Sequence, residues 1–162
     1  MFPLILRRSF YCSLLLLALP SLAWGTTRCV NPTGLCGGSA PCYSDLQSAI
    51  NASSPGDLIA VQAALYPLTS TVLVDRSVEI YGPQAGVNPL PSQGTTRVPG
   101  SATEAIFDGG GSLGVLIRIL ANDVVIDGLE VCNGTGDLIE PLVATPTSRT
   151  PAAQQHRPRL ER

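Results

Sequence analysis

Lysine is absent from this 162-residue chain, so all ten basic residues are arginine. Charge is scarce altogether: 14% of residues are charged and 5% aromatic, with one His and one Trp. So little charge excludes an ordinary disordered chain and a coiled coil. No apolar run reaches the roughly 20 residues that a membrane span needs. Hydrophobic residues, at 44%, are ample for a core, while sixteen Gly and fourteen Pro predict many turns and few long helices.

The chain opens as an export signal. Arg7 and Arg8 precede the apolar run Leu14 to Leu19, then Pro20, with Ala23 and Gly25 at the −3 and −1 positions of a signal-peptidase site. Residues 1–25 are therefore expected to be removed, leaving a secreted or cell-surface protein with no membrane span. The remaining part holds eight Arg against twelve acids, a net of −4, which speaks against a nucleic-acid or anionic-membrane partner. Four cysteines remain: Cys29, Cys36, Cys42 and Cys132. In an oxidising compartment they allow three pairings. Cys36–Cys42 is the preferred one, because Gly37, Gly38 and Pro41 let the intervening loop fold back. Zinc is disfavoured, since no C-x-x-C occurs and His156 lies in the tail.

One helix is predicted, over Tyr43 to Ala52, with Ser44 and Gln47 as a capping box and Leu46, Ala49 and Ile50 as its apolar stripe. Pro55-Gly56-Asp57 stops it in a turn. Short strand-like runs follow: Leu58 to Val61, Thr71 to Val74, Val78 to Tyr81, Ala105 to Phe107, Val115 to Leu120, Val124 to Ile126 and Leu129 to Cys132. A weak repeat aligns Ile106-Phe107-Asp108-Gly109 with Val125-Ile126-Asp127-Gly128 at a spacing of 19 residues. Repeats of about 20 residues indicate a solenoid. Short strands without helices point to an all-β fold, a parallel β-helix, with Phe107 and Ile126 stacked on neighbouring coils. An antiparallel sandwich is the competitor, but its hairpin turns are mostly missing. Residues 84–103 would form a loop thrown out from one corner.

Leu46-Gln47-Ser48-Ala49-Ile50 and Ser54-Pro55-Gly56-Asp57-Leu58-Ile59-Ala60-Val61 resemble the opening of secreted right-handed parallel β-helix proteins of the pectate-lyase-like superfamily. The likeness continues through Arg76 to Gly82 and Ala121 to Leu129, covering roughly residues 28–136. It implies a cap over residues 26–57, with its Cys-rich loop and helix, then coils over residues 58–140. Ala63-Ala64-Leu65-Tyr66 stands where such proteins often turn after the first strand.

Lyases of that superfamily use a basic residue to remove a proton beside a uronate carboxylate, with calcium on nearby carboxylates; its hydrolases use clustered Asp. Here Asp108 and Asp127, if stacked one coil apart, are the candidate calcium ligands, although each Asp also suits its own Asp-Gly turn. Arg118 has no specified partner to make it a catalytic base. Asn51-Ala52-Ser53 and Asn133-Gly134-Thr135 fit the glycosylation sequon. No catalytic constellation emerges. Two functions follow: noncatalytic binding at an extracellular surface, with polysaccharide as partner, or the N-terminal part of a polysaccharide lyase or hydrolase whose active site lies beyond residue 162.

The tail changes composition. Residues 26–140 hold four Arg and eleven acids (−7), whereas residues 141–162 hold four Arg and one acid (+3). With too few apolar residues to seal a solenoid end, residues 141–162 are expected to be a disordered or frame-shifted tail, leaving an incomplete and aggregation-prone C-terminal end.

Overall fold

Every strand pairing in the computed structural model is parallel, among described residues that comprise 25–39, 41–90, 92, 94 and 96–141. The segment expected to be an export signal, apart from Gly25, and the expected disordered or frame-shifted tail after Pro141 lie outside them. In chain order the elements are β1 (Thr27–Val30), β2 (Cys42–Tyr43), α1 (Leu46–Ala52), β3 (Leu58–Val61), β4 (Ala64–Pro67), β5 (Val72–Val74), β6 (Glu79–Tyr81), β7 (Ala105–Asp108), β8 (Ile117–Ile119), β9 (Val125–Asp127), β10 (Leu129–Cys132) and β11 (Ile139–Pro141). They form an all-β arrangement of three short sheets and one helix, with strand orders β2-β1-β3-β6-β9, β4-β7-β10 and β5-β8-β11. The antiparallel sandwich is excluded.

Starting with β3 the chain visits the three sheets in rotation, and makes three such passes. Register aligns like residues from pass to pass. Ile59, Ile80 and Ile126 share one row, Tyr66, Phe107 and Val131 a second, and Val72, Ile117 and Ile139 a third. Side chains alternate across a strand, so these rows face inward and their intervening neighbours face out. The inward residues of all three sheets belong to one core, in which Ile59, Ile80, Phe107 and Ile117 have no exposure. Tyr66 and Phe107 stack with ring centres 4.8 Å apart. The Tyr66 hydroxyl reaches the carbonyls of Gln62 and Val30 at 2.8 and 3.1 Å. Burial, and then the nearby Cys29, pushes its pKa up to about 12.

The 19-residue repeat is not the stacking period. Phe107 lies in β7, beside Tyr66 and Val131, whereas Ile126 lies in β9, beside Ile80. The two Asp-Gly copies thus sit on different sheets. At Gly128 the backbone has φ 72°, and a Cβ would come 2.1 Å from Ala85 N, so the loop after β6 leaves room only for glycine. The turn expected at Ala63 to Tyr66 is instead strand β4, held by pairing with β7. Strands β1, β2 and β11 also escaped the hydrophobic pattern.

The helix starts at Leu46 rather than at the expected Tyr43. Asp45, not Ser44, is the N-cap, accepting from Ser48 N–H at 2.8 Å. Gln47, freed from a capping box, reaches the edge of the third sheet. Its Oε1 accepts from Leu73 N–H at 2.7 Å and its Nε2 donates to Leu73 O at 3.1 Å. One carboxamide thereby substitutes for a neighbouring strand, and the helix seals that edge. Leu46, Ala49 and Ile50 fill the core beneath it. Cys36 and Cys42 are joined, with Cα atoms 5.8 Å apart, and the bond pins β2 to its preceding loop.

Two buried ion pairs fasten the irregular parts. Asp57 is 3% exposed and accepts from Thr26 N–H (2.6 Å), Ser54 N–H (2.7 Å) and the Arg28 guanidinium (2.8 Å). Burial pushes its carboxyl pKa up, but the two backbone donors and Arg28 together outweigh it and hold the value low. Glu104, 1% exposed, takes a two-pronged contact from Arg97 at 2.8 and 2.9 Å. Arg97 also donates to Leu129 O at 2.7 Å, tying residues 83–104 down onto the following pass.

Two outcomes are expected in urea titrations. Phe107→Ala lowers the unfolding free energy by about 3–5 kcal/mol, because a fully buried ring and its stacking partner are lost together. Gln47→Ala lowers it by about 0.5–1.5 kcal/mol, since water can reach the exposed Leu73 edge once the carboxamide is gone. The acid limb is also specified. A carboxyl whose folded pKa lies below its unfolded value stabilises fully above the unfolded value of about 4, and that stability is lost as pH falls through the folded value. Asp57→Asn should therefore flatten the loss of stability below pH 4, while costing about 3–5 kcal/mol at neutral pH by leaving Arg28 unpaired.

Candidate functional site

The outward face of the first sheet presents two rows: Leu58, Glu79 and Val125, and beside it Ala60, Tyr81 and Asp127. Ile59, Ile80 and Ile126 turn inward, which forces their neighbours out. Tyr81 is half-buried beside the exposed Glu79; its pKa is raised by burial, then by Glu79, then by Asp127. Asp127 accepts from Gly86 N–H at 2.8 Å, so the loop after β6 borders this face. A ring beside two carboxylates combines an apolar surface with acceptors for hydroxyl groups. Sequence reasoning read Val78 to Tyr81 only as a strand. The period-two alternation of Glu79, Ile80 and Tyr81 was the available signal for the outward pair.

Asp108 and Asp127 are not brought together. Asp108 lies on the second sheet, in register with Pro67 and Cys132, and Asp127 lies on the first, in register with Tyr81. The stacked calcium rung is therefore corrected to two separate turns. Asp108 accepts from Gly110 N–H and from Asn133 Nδ2 at 2.8 and 2.9 Å, and these two bonds, outweighing slight burial, lower its pKa. Among the described residues no group of three or more His, Cys, Asp or Glu is placed to hold a metal ion.

The four arginines among the described residues each meet a carboxylate. Arg28 contacts Asp57, Arg76 contacts Asp75, Arg97 contacts Glu104, and Arg118 contacts Glu140, at 2.8, 3.5, 2.8 and 2.8 Å. Arg118 and Glu140 face outward as register partners on the third sheet. Of the sequon asparagines, Asn51 accepts from Gln47 at the exposed end of α1, and Asn133 donates to Asp108 from a left-handed backbone at φ 55°. Ser53 of the first sequon is buried, its hydroxyl donating to Ala49 O.

Cys29 and Cys132 are free thiols on different sheets. Burial raises the pKa of Cys29 against a lowering bond from the Val30 backbone; burial, then Asp108 and Glu130, raises that of Cys132. Neither is poised as a nucleophile. No helix among the described residues is long and apolar enough to cross a membrane. No protein-family model matches this chain, and no curated protein or solved structure does either.

Maleimide labelling of the native protein should modify Cys132 slowly and Cys29 only after unfolding. Mapping of unreduced peptides should return the Cys36–Cys42 link. A dominant Cys29–Cys132 link would contradict this arrangement.

Proposed function

We propose that the three sheets are the faces of a right-handed parallel β-helix, and that the chain is an exported, noncatalytic protein associating with extracellular polysaccharide through the first sheet's outer face. The rotation of strands through three parallel sheets supports the β-helix, and parallel crossovers are almost always right-handed. The likeness of residues 28–136 to secreted β-helix proteins, together with the export signal, supports an extracellular address.

The observation that carries noncatalytic binding is the pairing of the four arginines in residues 26–141 with carboxylates. Proton removal beside a uronate needs an available base, and each of these guanidinium groups is engaged by a carboxylate. Glu79, Tyr81 and Asp127 instead supply an outward, open surface, and their negative charge favours hydroxyl-rich glycans over acidic ones.

Retention on a panel of insoluble polysaccharides tests the proposal. The parent protein should bind at least one neutral glycan without releasing reducing ends. Tyr81→Ala and Glu79→Gln should weaken that binding at least tenfold with unchanged circular dichroism. Failure to bind any polysaccharide sinks the function. Binding that survives both substitutions moves it to another face, and release of reducing ends makes the protein an enzyme.

A further inference from the structure

Strand β1 begins at the expected cleavage point. Ala23 and Gly25 put the scissile bond between Gly25 and Thr26, and Thr26 is the residue that fastens the start of the strand. Its carbonyl accepts from Leu58 N–H at 3.1 Å, and its N–H donates to Asp57 Oδ1 at 2.6 Å. Asp57 is 3% exposed, and its two oxygens serve different donors. Oδ2 takes Arg28 at 2.8 Å and Ser54 N–H at 2.7 Å, while Oδ1 takes Thr26. The approach to Thr26 is tight as well. A Cβ on Gly25 would come 1.9 Å from Gly56 O, so the backbone ahead of Thr26 runs directly against the turn that carries Asp57.

We propose that hydrolysis of the Gly25–Thr26 bond creates a structural ion pair, in which the new α-ammonium of Thr26 binds the buried carboxylate of Asp57. Water adds across the amide: Gly25 leaves as a carboxylate, and the Thr26 nitrogen takes up protons at the atom already bonded to Oδ1. The position of the cut rests on the export reading; what the outer face binds does not enter. Before cleavage this nitrogen is a neutral amide donor, and afterwards it is a cation on the same acceptor. Hydrogen bonds between ionised partners are roughly twice as strong as neutral ones. Arg28 is the rival cation, but it holds the other oxygen and also donates to Ser53 Oγ at 3.1 Å, so it is not displaced. The remaining charges around the turn are Arg76, which donates to Ser53 O and pairs with Asp75, and Glu79, whose N–H donates to Asp57 O. Three acids (Asp57, Asp75, Glu79) thus face two arginines (Arg28, Arg76), and the ammonium brings the group to neutrality.

The pair has a pH signature. An α-amino group ordinarily titrates at about 7.7–8.0, and an opposite charge in contact raises that value. A group whose folded pKa is raised contributes its full stability below the unfolded value, and loses it as pH rises through the folded one. The ion pair is therefore in force at neutral pH and fades above about pH 8. Cleavage thus strengthens the fold, and the uncut chain is its less stable form. The lack of lysine makes the group directly readable. With no Lys side chain anywhere in the sequence, the α-amine of Thr26 is the one primary amine of the cut chain.

N-terminal sequencing of the exported protein should begin at Thr26. Two chains of defined start then isolate the charge: one beginning at Thr26, the other at Gly25, which keeps Thr26 N–H as an amide donor and moves the amine one residue away. In urea titrations at about pH 6.5 the Thr26 chain should show a folded-to-unfolded ratio at least fivefold larger. That advantage should shrink between about pH 8 and pH 10, and acetylating the Thr26 amine should erase it. Competitive labelling with acetic anhydride, read by mass, should place the amine's pKa above the ordinary range in the native Thr26 chain, and within it in urea and in the Gly25 chain. A start at another residue, or an uncut exported chain, overturns the export reading on which the cut depends. Equal stability of the two chains, or an ordinary pKa for the native Thr26 amine, overturns the ion pair itself.

Discussion

Main-chain hydrogen bonding between successive passes is the constraint on which everything else here depends. In a parallel ladder each residue is locked opposite one partner, and a slip of a single position would turn every inward side chain out. Ile80 opposite Ile59 and Ile126, and Phe107 opposite Tyr66 and Val131, are consequences of that lock. The same register sets the outward rows, so Tyr81 stands beside Asp127 because Ile80 must stand beside Ile126. Core and candidate face are two sides of one alignment.

Legibility in the sequence followed the local strength of the pattern. Leu58 to Val61 and Leu129 to Cys132 are strands over the residues expected, because dense apolar and β-branched residues end abruptly at turns. Strand β4 was hidden: Ala64 and Leu65 carry no strand preference, and the segment is extended because β7, about forty residues later, pairs with it. The Asp-Gly repeat misled for the opposite reason. Asp108 bonds the backbone of its own turn at Gly110, whereas Asp127 holds Gly86 of a distant loop, and likeness of sequence was read as vertical stacking. The helix start turned on two adjacent cap formers. Asp45 prevailed over Ser44, leaving Gln47 for a distant edge that no short-range motif could announce.

The candidate face was less legible than the fold. Glu79 and Tyr81 look like ordinary strand residues until the sheet shows which neighbours they share, and Asp127 acquires its place only through β6. The arginines were equally opaque, since their partners lie up to 32 residues away. Burying Arg97 against Glu104 costs desolvation that the attraction roughly offsets. Its value is positional: the guanidinium matches one carboxylate and one strand carbonyl, and so specifies where the loop lands.

That landing separates loop length from strand register. Between β3 and β6 the partners Ile59 and Ile80 are 21 residues apart, whereas Ile80 and Ile126 are 46 apart, yet both pairs align without offset. The surplus is absorbed by residues 82–104, whose two ends are fixed by strands and whose body is moored at Asp127, Leu129 and Glu130. The corner is thus a natural port for added sequence: peptide grafted between the moorings would be displayed at the border of the outer face while the ladder beneath kept its alignment.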